Sequence, residues 1–216
     1  MNHHNILIII LAAGVSKRFG NKNKLLEVLG EKTVLENTLE NIFKVFGIDR
    51  TIIITGFQQD KVKMALKKYN VKCLFNKDYA KGIGTSISYA IKQNKLNVDG
   101  VLILPGDMPL ISQIDLEKLI NAFYFNKKNK IISPKYKNKK GNPLIIPKSF
   151  FKLLKSLKKD EGARKFLPKN NFLYIEASFG TTFDIDTRLA LIKVKILKHK
   201  FFSFLSRTLG FFNAQN

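Results

Sequence analysis

Residues Ile6 to Leu26 read ILIIILAAGVSKRFGNKNKLL, and this stretch is the most informative part of the chain. The apolar run Ile6 to Leu11 has the β-branched content of a buried strand. It ends in a turn of small residues, and cationic side chains follow that turn at short intervals. Backbone N–H groups of such a turn form a concave nest for anions, and Arg and Lys supply the compensating charge. The stretch therefore predicts a strand that leads into a phosphate-binding loop.

The loop differs from two familiar phosphate-binding motifs, because the stretch contains neither GxxxxGK[ST] nor GxGxxG. Its small residues would let a ligand approach the backbone closely. The competing interpretation is an ordinary strand–loop–helix junction with incidental lysines in a Lys-rich chain.

Length and composition favour one domain. A chain of 216 residues suits a single α/β domain with a sizeable core. The single cysteine, Cys73, excludes a disulfide framework or a cysteine metal cluster within a monomer, and it suits a reducing, cytoplasmic location. The first residues, MNHHN, lack a basic segment, and the apolar run that follows is short. Neither a signal peptide nor a membrane span is therefore predicted there.

The net charge of +22 raises the hypothesis of a Lys-rich nucleic-acid-binding protein. Only five of the 38 basic residues are Arg, which reads phosphate and guanine better than Lys does. The lysines are also spread along the whole chain. We therefore favour a solvated Lys surface that attracts anionic substrates, with no specific nucleic acid as partner.

Strand-like apolar runs alternate with segments of helical spacing. Strands are predicted at 51–55, 71–75, 100–104, 130–134 and 172–175, a turn and strand within 141–147, and helices at 33–46, 59–69 and 112–125. A further helix should begin near Ile87, capped by Thr85 or Ser86, whereas the Lys- and Asn-rich segment 126–140 should be a solvated connection. This alternation predicts a single Rossmann-like α/β domain with a mostly parallel central sheet flanked by helices.

Carboxylates follow the predicted strands at two places. Asp107 comes directly after the buried run Gly100 to Leu104, where open α/β sheets bind ligands. Asp184 and Asp186 stand two residues apart, so on an extended segment both would point the same way. Mg²⁺ prefers a few carboxylates together with phosphate oxygens. The alternatives are a simple turn residue at Asp107 and a helix N-cap at Asp186.

These motifs together resemble those of the MobA-like nucleotidyltransferases. The opening stretch is similar to the signature LAAGxSxRxGxxK: its fixed positions up to the last glycine are met by Leu11, Ala12, Ala13, Gly14, Ser16, Arg18 and Gly20, and Lys24 stands one residue beyond the position of the final lysine. The hexapeptide around Asp107 resembles the family's GDxP element, and 184–187 resembles its closing DIDT element. Residues 141–143 and 160–164 resemble the GxP and DxGAR elements of the molybdopterin cytidylyltransferase branch. The resemblance covers roughly Leu7 to Ile192.

The resemblance implies a set of site residues. Catalytic roles fall to Arg18, Lys24 and Asp107. Nucleotide binding falls to Leu11, Ala12, Ala13, Gly14, Ser16, Arg18, Lys24, Asn76, Gly82 and Ser86. The second substrate would contact Asn142, Pro143 and Arg164, where Arg164 is a candidate phosphate clamp with an alternative role in a helix start. Mg²⁺ would be bound by Asp107 with Asp184 or Asp186. Removing Arg18 or Lys24 is expected to lower turnover without changing thermal stability.

The implied reaction is the transfer of a nucleoside monophosphate, with CTP favoured, to a phosphate-bearing acceptor with release of pyrophosphate. The molybdenum cofactor cytidylyltransferases are the branch with the strongest resemblance, so molybdopterin is the expected acceptor. The alternatives are a sugar- or polyol-phosphate nucleotidyltransferase and a molybdenum cofactor guanylyltransferase. Expected macromolecular partners are a second copy of the chain or a molybdoenzyme.

The segment Lys193 to Asn216 lies beyond the resemblance and is treated as a basic, aromatic tail after a domain at 1–192. Its apolar residues alternate with cations, as in helices that lie on anionic membranes. We favour packing of this tail on the domain or on a second subunit.

Overall fold

The computed structural model describes residues 5–20 and 22–197. Its strands are β1 (Ile6–Ala12), β2 (Val28–Leu29), β3 (Lys32–Thr33), β4 (Thr51–Thr55), β5 (Lys72–Phe75), β6 (Gly100–Pro105), β7 (Ile131–Tyr136), β8 (Lys139–Lys140), β9 (Leu144–Pro147) and β10 (Phe172–Glu176). Its helices are α1 (Val34–Phe46), α2 (Gln59–Leu66), α3 (Ile83–Gln93), α4 (Gln113–Phe125), α5 (Phe151–Lys155), α6 (Ala163–Phe166) and α7 at 188–197.

One mixed sheet runs through the domain in the order β10-β7-β9-β6-β1-β4-β5, and β8 pairs with β7. Strands β6, β1, β4 and β5 are mutually parallel, and β10 is parallel to β7. Strand β9 is antiparallel to both β6 and β7. The prediction of a single α/β domain with a mostly parallel sheet is confirmed. Strands β2 and β3 form a separate small hairpin.

Strand β1 lies between β6 and β4 and is covered on both faces. Ile8 and Ile10 belong to the core beneath α1 and α4, whereas Leu7 and Ile9 belong to the core beneath α3. This division follows from the two-residue alternation of side chains along a strand, and burial on both faces explains the continuous apolar run. Full burial of each such side chain contributes about 1.5–3 kcal/mol relative to exposure.

A third apolar cluster packs the loop after β1 against the C-terminal part of the described chain. It joins Phe19 and Val34 to Ile185, Leu191 and Val194, and all five side chains are buried. The residues after β1 are thereby packed against the segment that carries Asp184 and Asp186. This contact between distant parts of the chain positions the site described below.

The helix after Asn76 starts earlier than predicted. Helix α3 begins at Ile83 with Gly82 as its N-cap, so the expected start near Ile87 is wrong. Thr85 does not cap the helix, because its hydroxyl donates to the carbonyl oxygens of Gly82 and Asp78 at 2.8 and 3.0 Å. The helix can begin at Ile83 because Gly82 adopts a φ of 120°, which L side chains rarely tolerate.

The segment 126–140 is also more ordered than its composition indicates. It contains β7, whose Ile131 and Ile132 are fully buried, and β8, which returns on β7 as a hairpin. Pairing with β9 and β10 therefore outweighs the polar, Lys-rich character of the segment.

At the start of α7, Thr187 accepts the Ala190 N–H at 3.1 Å, so Thr187 provides the cap that was considered for Asp186.

The C-terminal segment is described only as far as residue 197. Within it Val194 is buried, while Ile196 and Leu197 are half exposed. Residues 198–216 lie outside the described part, so the role of the tail and the domain boundary at 192 stay predictions. In residues 5–20 and 22–197, no helix has the length and apolarity needed to cross a membrane.

A buried carboxylate at the start of α4 gives a first testable prediction. Asp115 is 2% exposed and accepts hydrogen bonds from Ser112 and from the Ser178 N–H and hydroxyl. Burial raises the pKa of Asp115, but these hydrogen bonds outweigh it and place the pKa below the ordinary value. A carboxyl whose pKa is depressed by folding stabilises the native state above the unfolded-state pKa, and this contribution is lost as the pH falls through the folded-state pKa.

Asp115→Asn should therefore lower the free energy of unfolding by about 1–3 kcal/mol at pH 7. The difference from wild type should shrink below about pH 4, where the unfolded carboxyl is also protonated. Urea unfolding across a pH series measures this, and Asp49→Asn at an exposed turn is the matched control. An Asp115→Asn deficit that does not change between pH 3 and pH 7 would contradict the assignment.

Candidate active site

The loop after β1 is fixed by hydrogen bonds to Phe57, which follows β4, and to Lys24. The Ala13 carbonyl accepts the Phe57 N–H at 3.3 Å, whereas Gly14 has open space where a side chain would stand. Ser16 adopts a left-handed conformation, and its hydroxyl accepts the Lys24 N–H at 3.2 Å. Ser16 therefore shapes the loop. Ala12 is fully buried in the core beneath it.

Four charged side chains meet beside this loop. The Lys24 ammonium contacts Asp107 Oδ2 and lies 2.6 Å from Asp186 Oδ1. Arg18 Nη1 lies 2.9 Å from the other oxygen of Asp186. The Lys24 and Asp107 side chains are 16% and 8% exposed, whereas that of Arg18 is 69% exposed. The inner part of the network is shielded from water, and Arg18 forms its outer edge.

Backbone contacts bring these residues together. The Gly106 N–H donates to the Leu11 carbonyl at 3.0 Å, which holds the residue before Asp107 beside the end of β1. The Ile185 N–H donates to the Asp107 carbonyl at 3.0 Å, and the Ile185 side chain is fully buried. Asp184 and Asp186 flank this anchored residue, so both reach the same side of the segment.

The pKa shifts follow from this geometry. Burial raises the pKa of Asp107, and the Lys24 ammonium offsets part of that rise. Burial also lowers the pKa of Lys24, but Asp107 and Asp186 outweigh it, so the pKa of Lys24 lies above its ordinary value. Burial also raises the pKa of Asp186, but Lys24 and Arg18 outweigh this effect, so the pKa of Asp186 lies below its ordinary value. The shifts of Lys24 and Asp186 both favour the ionised forms of these two side chains.

The three carboxylates fit a divalent cation. One oxygen each of Asp107, Asp184 and Asp186 lies within 4.8 Å of the others. Asp107 Oδ1 is buried and has no hydrogen-bond partner among the described residues, and a buried polar atom of that kind calls for a ligand. Carboxylate oxygens are hard ligands of the kind that Mg²⁺ and Mn²⁺ prefer. The residues present therefore suit such an ion.

A cleft of about 450 Å³ opens next to the charged network. It is lined by Leu11, Ala13, Gly14, Val15, Lys17, Lys24, Leu25, Tyr79, Ala80, Lys81, Gly82, Ile83, Ser86, Pro105, Asp107 and Asp160. Seven residues of the predicted site are among these, and Asp160 belongs to the element that resembles DxGAR. Sequence reasoning missed Tyr79 and Lys81, although both lie between the predicted positions Asn76 and Gly82.

The wall of the cleft formed by α3 depends on Asn76 and two glycines. The buried Asn76 side chain donates to the hydroxyls of Thr85 and Ser86 at 3.0 and 3.1 Å, so Asn76 supports the wall from behind. A Cβ at Gly82 would lie 2.5 Å from the Asp160 nitrogen, and one at Gly84 would lie 2.7 Å from the Lys158 carbonyl oxygen. Glycine at both positions lets the turn that carries Asp160 lie directly against α3.

The residues predicted for the second substrate are not among those that line this cleft. Arg164 donates to the Ser133 hydroxyl at 2.7 Å and to the Gly141 carbonyl, so it braces β7 and the following loop. The Asn142 N–H donates to the Thr181 carbonyl at 2.8 Å, and the bond from Asn142 to Pro143 is cis. The loop thus lies against the turn that precedes Asp184. Their contact with a second substrate stays a prediction.

Comparison with known proteins agrees with this geometry. Residues 8–172 match the family described as the MobA-like NTP transferase domain. The bifunctional protein GlmU from Francisella tularensis subsp. novicida (strain U112) is 34% identical over 116 residues, 53% of this chain. The match spans only 25% of the length of GlmU.

Solved structures share the fold. Rv0371c from Mycobacterium tuberculosis H37Rv has a TM-score of 0.76 at 23% identity, over 90% of this chain and 98% of Rv0371c. Its complex with manganese has a TM-score of 0.72 at 22% identity, over 88% and 97% of the two chains. The 4-diphosphocytidyl-2C-methyl-D-erythritol synthase from Anaerococcus prevotii DSM 20548 has a TM-score of 0.70 at 19% identity, over 92% and 97%.

The family match extends from β1 to the start of β10 and includes both Lys24 and Asp107. The structural neighbours include enzymes with the nucleotidyltransferase fold. The chain therefore belongs to the MobA-like NTP transferase domain family.

Proposed function

We propose that this chain is a cytidylyltransferase that transfers CMP from CTP to a phosphate-bearing acceptor, molybdopterin, and releases pyrophosphate. The observation that carries the proposal is the convergence of Lys24, Asp107 and Asp186 at the ends of β1 and β6, beside an open cleft. Ligands of open α/β sheets bind at this end of the strands. The arrangement combines cations for a triphosphate with carboxylates for a metal ion.

The chemistry needs no covalent enzyme intermediate. An oxygen of the acceptor phosphate attacks the α-phosphorus of the NTP, the bond from that phosphorus to the oxygen bridging to the β-phosphate breaks, and pyrophosphate leaves with the electron pair. Lys24 and Arg18 neutralise the negative charge on the phosphates, and the backbone of the loop after β1 orients them. The protein contributes positioning and electrostatic stabilisation.

Asp107, Asp184 and Asp186 would hold the divalent cation, for which we propose Mg²⁺. When bound, the ion supplies positive charge that neutralises phosphate oxygens. Support comes from the orphaned Asp107 oxygen and from the manganese complex known for Rv0371c. Because Ile185 anchors the segment between them, Asp184 and Asp186 can present their carboxylates without rearrangement of the core.

The choice of cytidine and of molybdopterin rests on separate observations. The name of the Anaerococcus prevotii enzyme contains a diphosphocytidyl group, which agrees with a cytidine nucleotide. Molybdopterin is supported by the resemblance of 141–143 and 160–164 to the cytidylyltransferase branch and by the position of Asp160 on the cleft wall. A cytoplasmic location and a homo-oligomer or molybdoenzyme as partner stay predictions.

A second candidate is cytidylyl transfer to a polyol phosphate. The match to the Anaerococcus prevotii synthase covers 92% of this chain and 97% of that enzyme. The name of that enzyme specifies a methylerythritol product. This candidate uses the same metal and triphosphate residues, so it differs only in the acceptor. Guanylyl transfer and nucleic-acid binding are the remaining alternatives.

A pyrophosphate-release screen separates these candidates. CTP, GTP, UTP and ATP are each incubated with Mg²⁺ and with molybdopterin, several sugar phosphates or a polyol phosphate. We expect turnover with CTP and molybdopterin, and less with GTP. A preference for GTP by about tenfold, equivalent to about 1.4 kcal/mol, would restore the guanylyltransferase hypothesis. Binding of duplex DNA that weakens steeply with salt, without turnover of any NTP, would instead favour the nucleic-acid alternative.

A further inference from the structure

Lys24 lies where a metal ion would be expected. Its ammonium contacts Asp107 and Asp186, two of the three carboxylates that fit a divalent cation. The Lys24 and Asp107 side chains are shielded from water, so the ammonium provides much of the positive charge that the buried carboxylate needs. In this arrangement a side chain of the protein already performs the electrostatic role of an ion.

The ammonium and a divalent ion cannot share these oxygens at low cost. Both would lie within a few ångströms of each other in a shielded environment, where like charges repel strongly. The metal ion can bind fully only if the ammonium moves away. Lys24 also lines the cleft, and a lysine has a long flexible stem, so its ammonium can turn towards a ligand there.

We propose that Lys24 is an internal counter-ion that keeps the metal site closed until a nucleotide binds. The triphosphate offers the ammonium new negative partners, the ammonium leaves Asp107 and Asp186, and the carboxylates become available to the metal ion. Metal binding and nucleotide binding are thereby coupled, and coupling of this kind acts equally in both directions. The inference rests on the proposed function in placing the metal ion at these three carboxylates and the triphosphate beside Lys24.

Arg18 does not perform this role. It contacts only Asp186 in the network, and its side chain is largely exposed. Its charge is therefore screened by water and salt and restricts a metal ion much less than the shielded Lys24 charge does. The proposal thus predicts that removal of the Lys24 charge changes the affinity for a metal ion much more than removal of the Arg18 charge does.

The test measures Mn²⁺ binding to nucleotide-free protein by titration calorimetry and by the electron paramagnetic resonance signal of free Mn²⁺. The variants are Lys24→Met, which removes the charge, and Lys24→Gln, which keeps a hydrogen-bond donor in case the first variant folds poorly. The matched control is Lys128→Met, which breaks the ion pair with Asp99 at the opposite end of β6. Each titration is repeated with a CTP analogue that cannot release pyrophosphate.

Removal of the Lys24 charge should tighten Mn²⁺ binding to the nucleotide-free protein by about tenfold or more, because a nearby like charge is lost. The Lys128→Met protein should bind Mn²⁺ as wild type does. The nucleotide analogue should tighten Mn²⁺ binding to wild type, and this gain should be much smaller in both Lys24 variants.

Two results would overturn the inference in different ways. If wild type binds Mn²⁺ at these carboxylates but the Lys24 variants bind it no more tightly, the counter-ion role is wrong and the proposed metal site stands. If Asp107→Asn binds Mn²⁺ as wild type does, with and without nucleotide, the metal site itself is wrong and both proposals fail.

Discussion

Asp107→Asn should reduce nucleotidyl transfer by at least about a hundredfold while the protein remains folded, because charge stabilisation by a bound metal ion is worth several kcal/mol. Asp107 supplies the buried carboxylate of the cluster, and its unpartnered oxygen has no other role among the described residues. Asparagine keeps the shape of the side chain and removes its charge. Lys24 retains Asp186 as a partner in the variant, so no buried cation is left alone.

The measurement is pyrophosphate release together with a thermal melt. Asp99→Asn is the matched control. Asp99 also forms an ion pair with a lysine, Lys128, but it lies before β6 and not after it. We expect the control to retain wild-type turnover. Near-normal turnover by Asp107→Asn would show that Asp107 does not act in the reaction. A large decrease in melting temperature would show that its role is structural instead.

Lys24→Met and Arg18→Met should both lower turnover but differ in stability. Each variant loses a charge-assisted contact to the triphosphate, worth about 1.5–3 kcal/mol in transition-state binding. Lys24→Met also leaves Asp107 as a buried carboxylate without its cation, and breaking a buried pair in this way costs about 3–5 kcal/mol of stability. Arg18→Met breaks a largely exposed pair, which contributes at most about 1 kcal/mol.

Urea unfolding without nucleotide or metal measures the difference in stability, and addition of Mn²⁺ should restore much of the stability that Lys24→Met loses. The sequence alone predicted unchanged stability for both variants. The shielded contact with Asp107 alters that expectation for Lys24 only. Equal free energies of unfolding for the two variants would show that the buried pair contributes little.

Several elements followed directly from local patterns. The apolar run of β1 became the central strand, and β4 matches its predicted bounds because five consecutive strand-forming residues end at a glycine. Helix α1 begins one residue after its predicted start, because Thr33 is the N-cap and forms a reciprocal capping box with Glu36, and it ends as predicted before Gly47, which has a positive φ. These features depend on neighbours in the sequence, so they can be predicted from it.

Other features depended on distant partners. The start of α3 follows from a glycine whose backbone lies against the turn at Asp160. The strand predicted at 130–134 is present as β7, but it extends to Tyr136 because β8 pairs with that extension. Arg164 is a plausible phosphate clamp by its motif, yet its guanidinium donates to Ser133 and Gly141. Local spacing carries no information about such contacts.

The candidate site likewise has features that follow from local sequence and features that depend on distant contacts. The residue types proposed for the chemistry could be identified from the sequence, because the loop after β1 and each carboxylate motif are short and directly follow strands or turns. Only the tertiary structure decided that Lys24 is shared between Asp107 and Asp186. Lys24, Asp107 and Asp186 are far apart in the chain. They meet because Ile185 is buried against Phe19, in the loop after β1, and its N–H donates to the Asp107 carbonyl. The pairing of buried charges is set by the packing that excludes water around them, and that packing involves the whole domain.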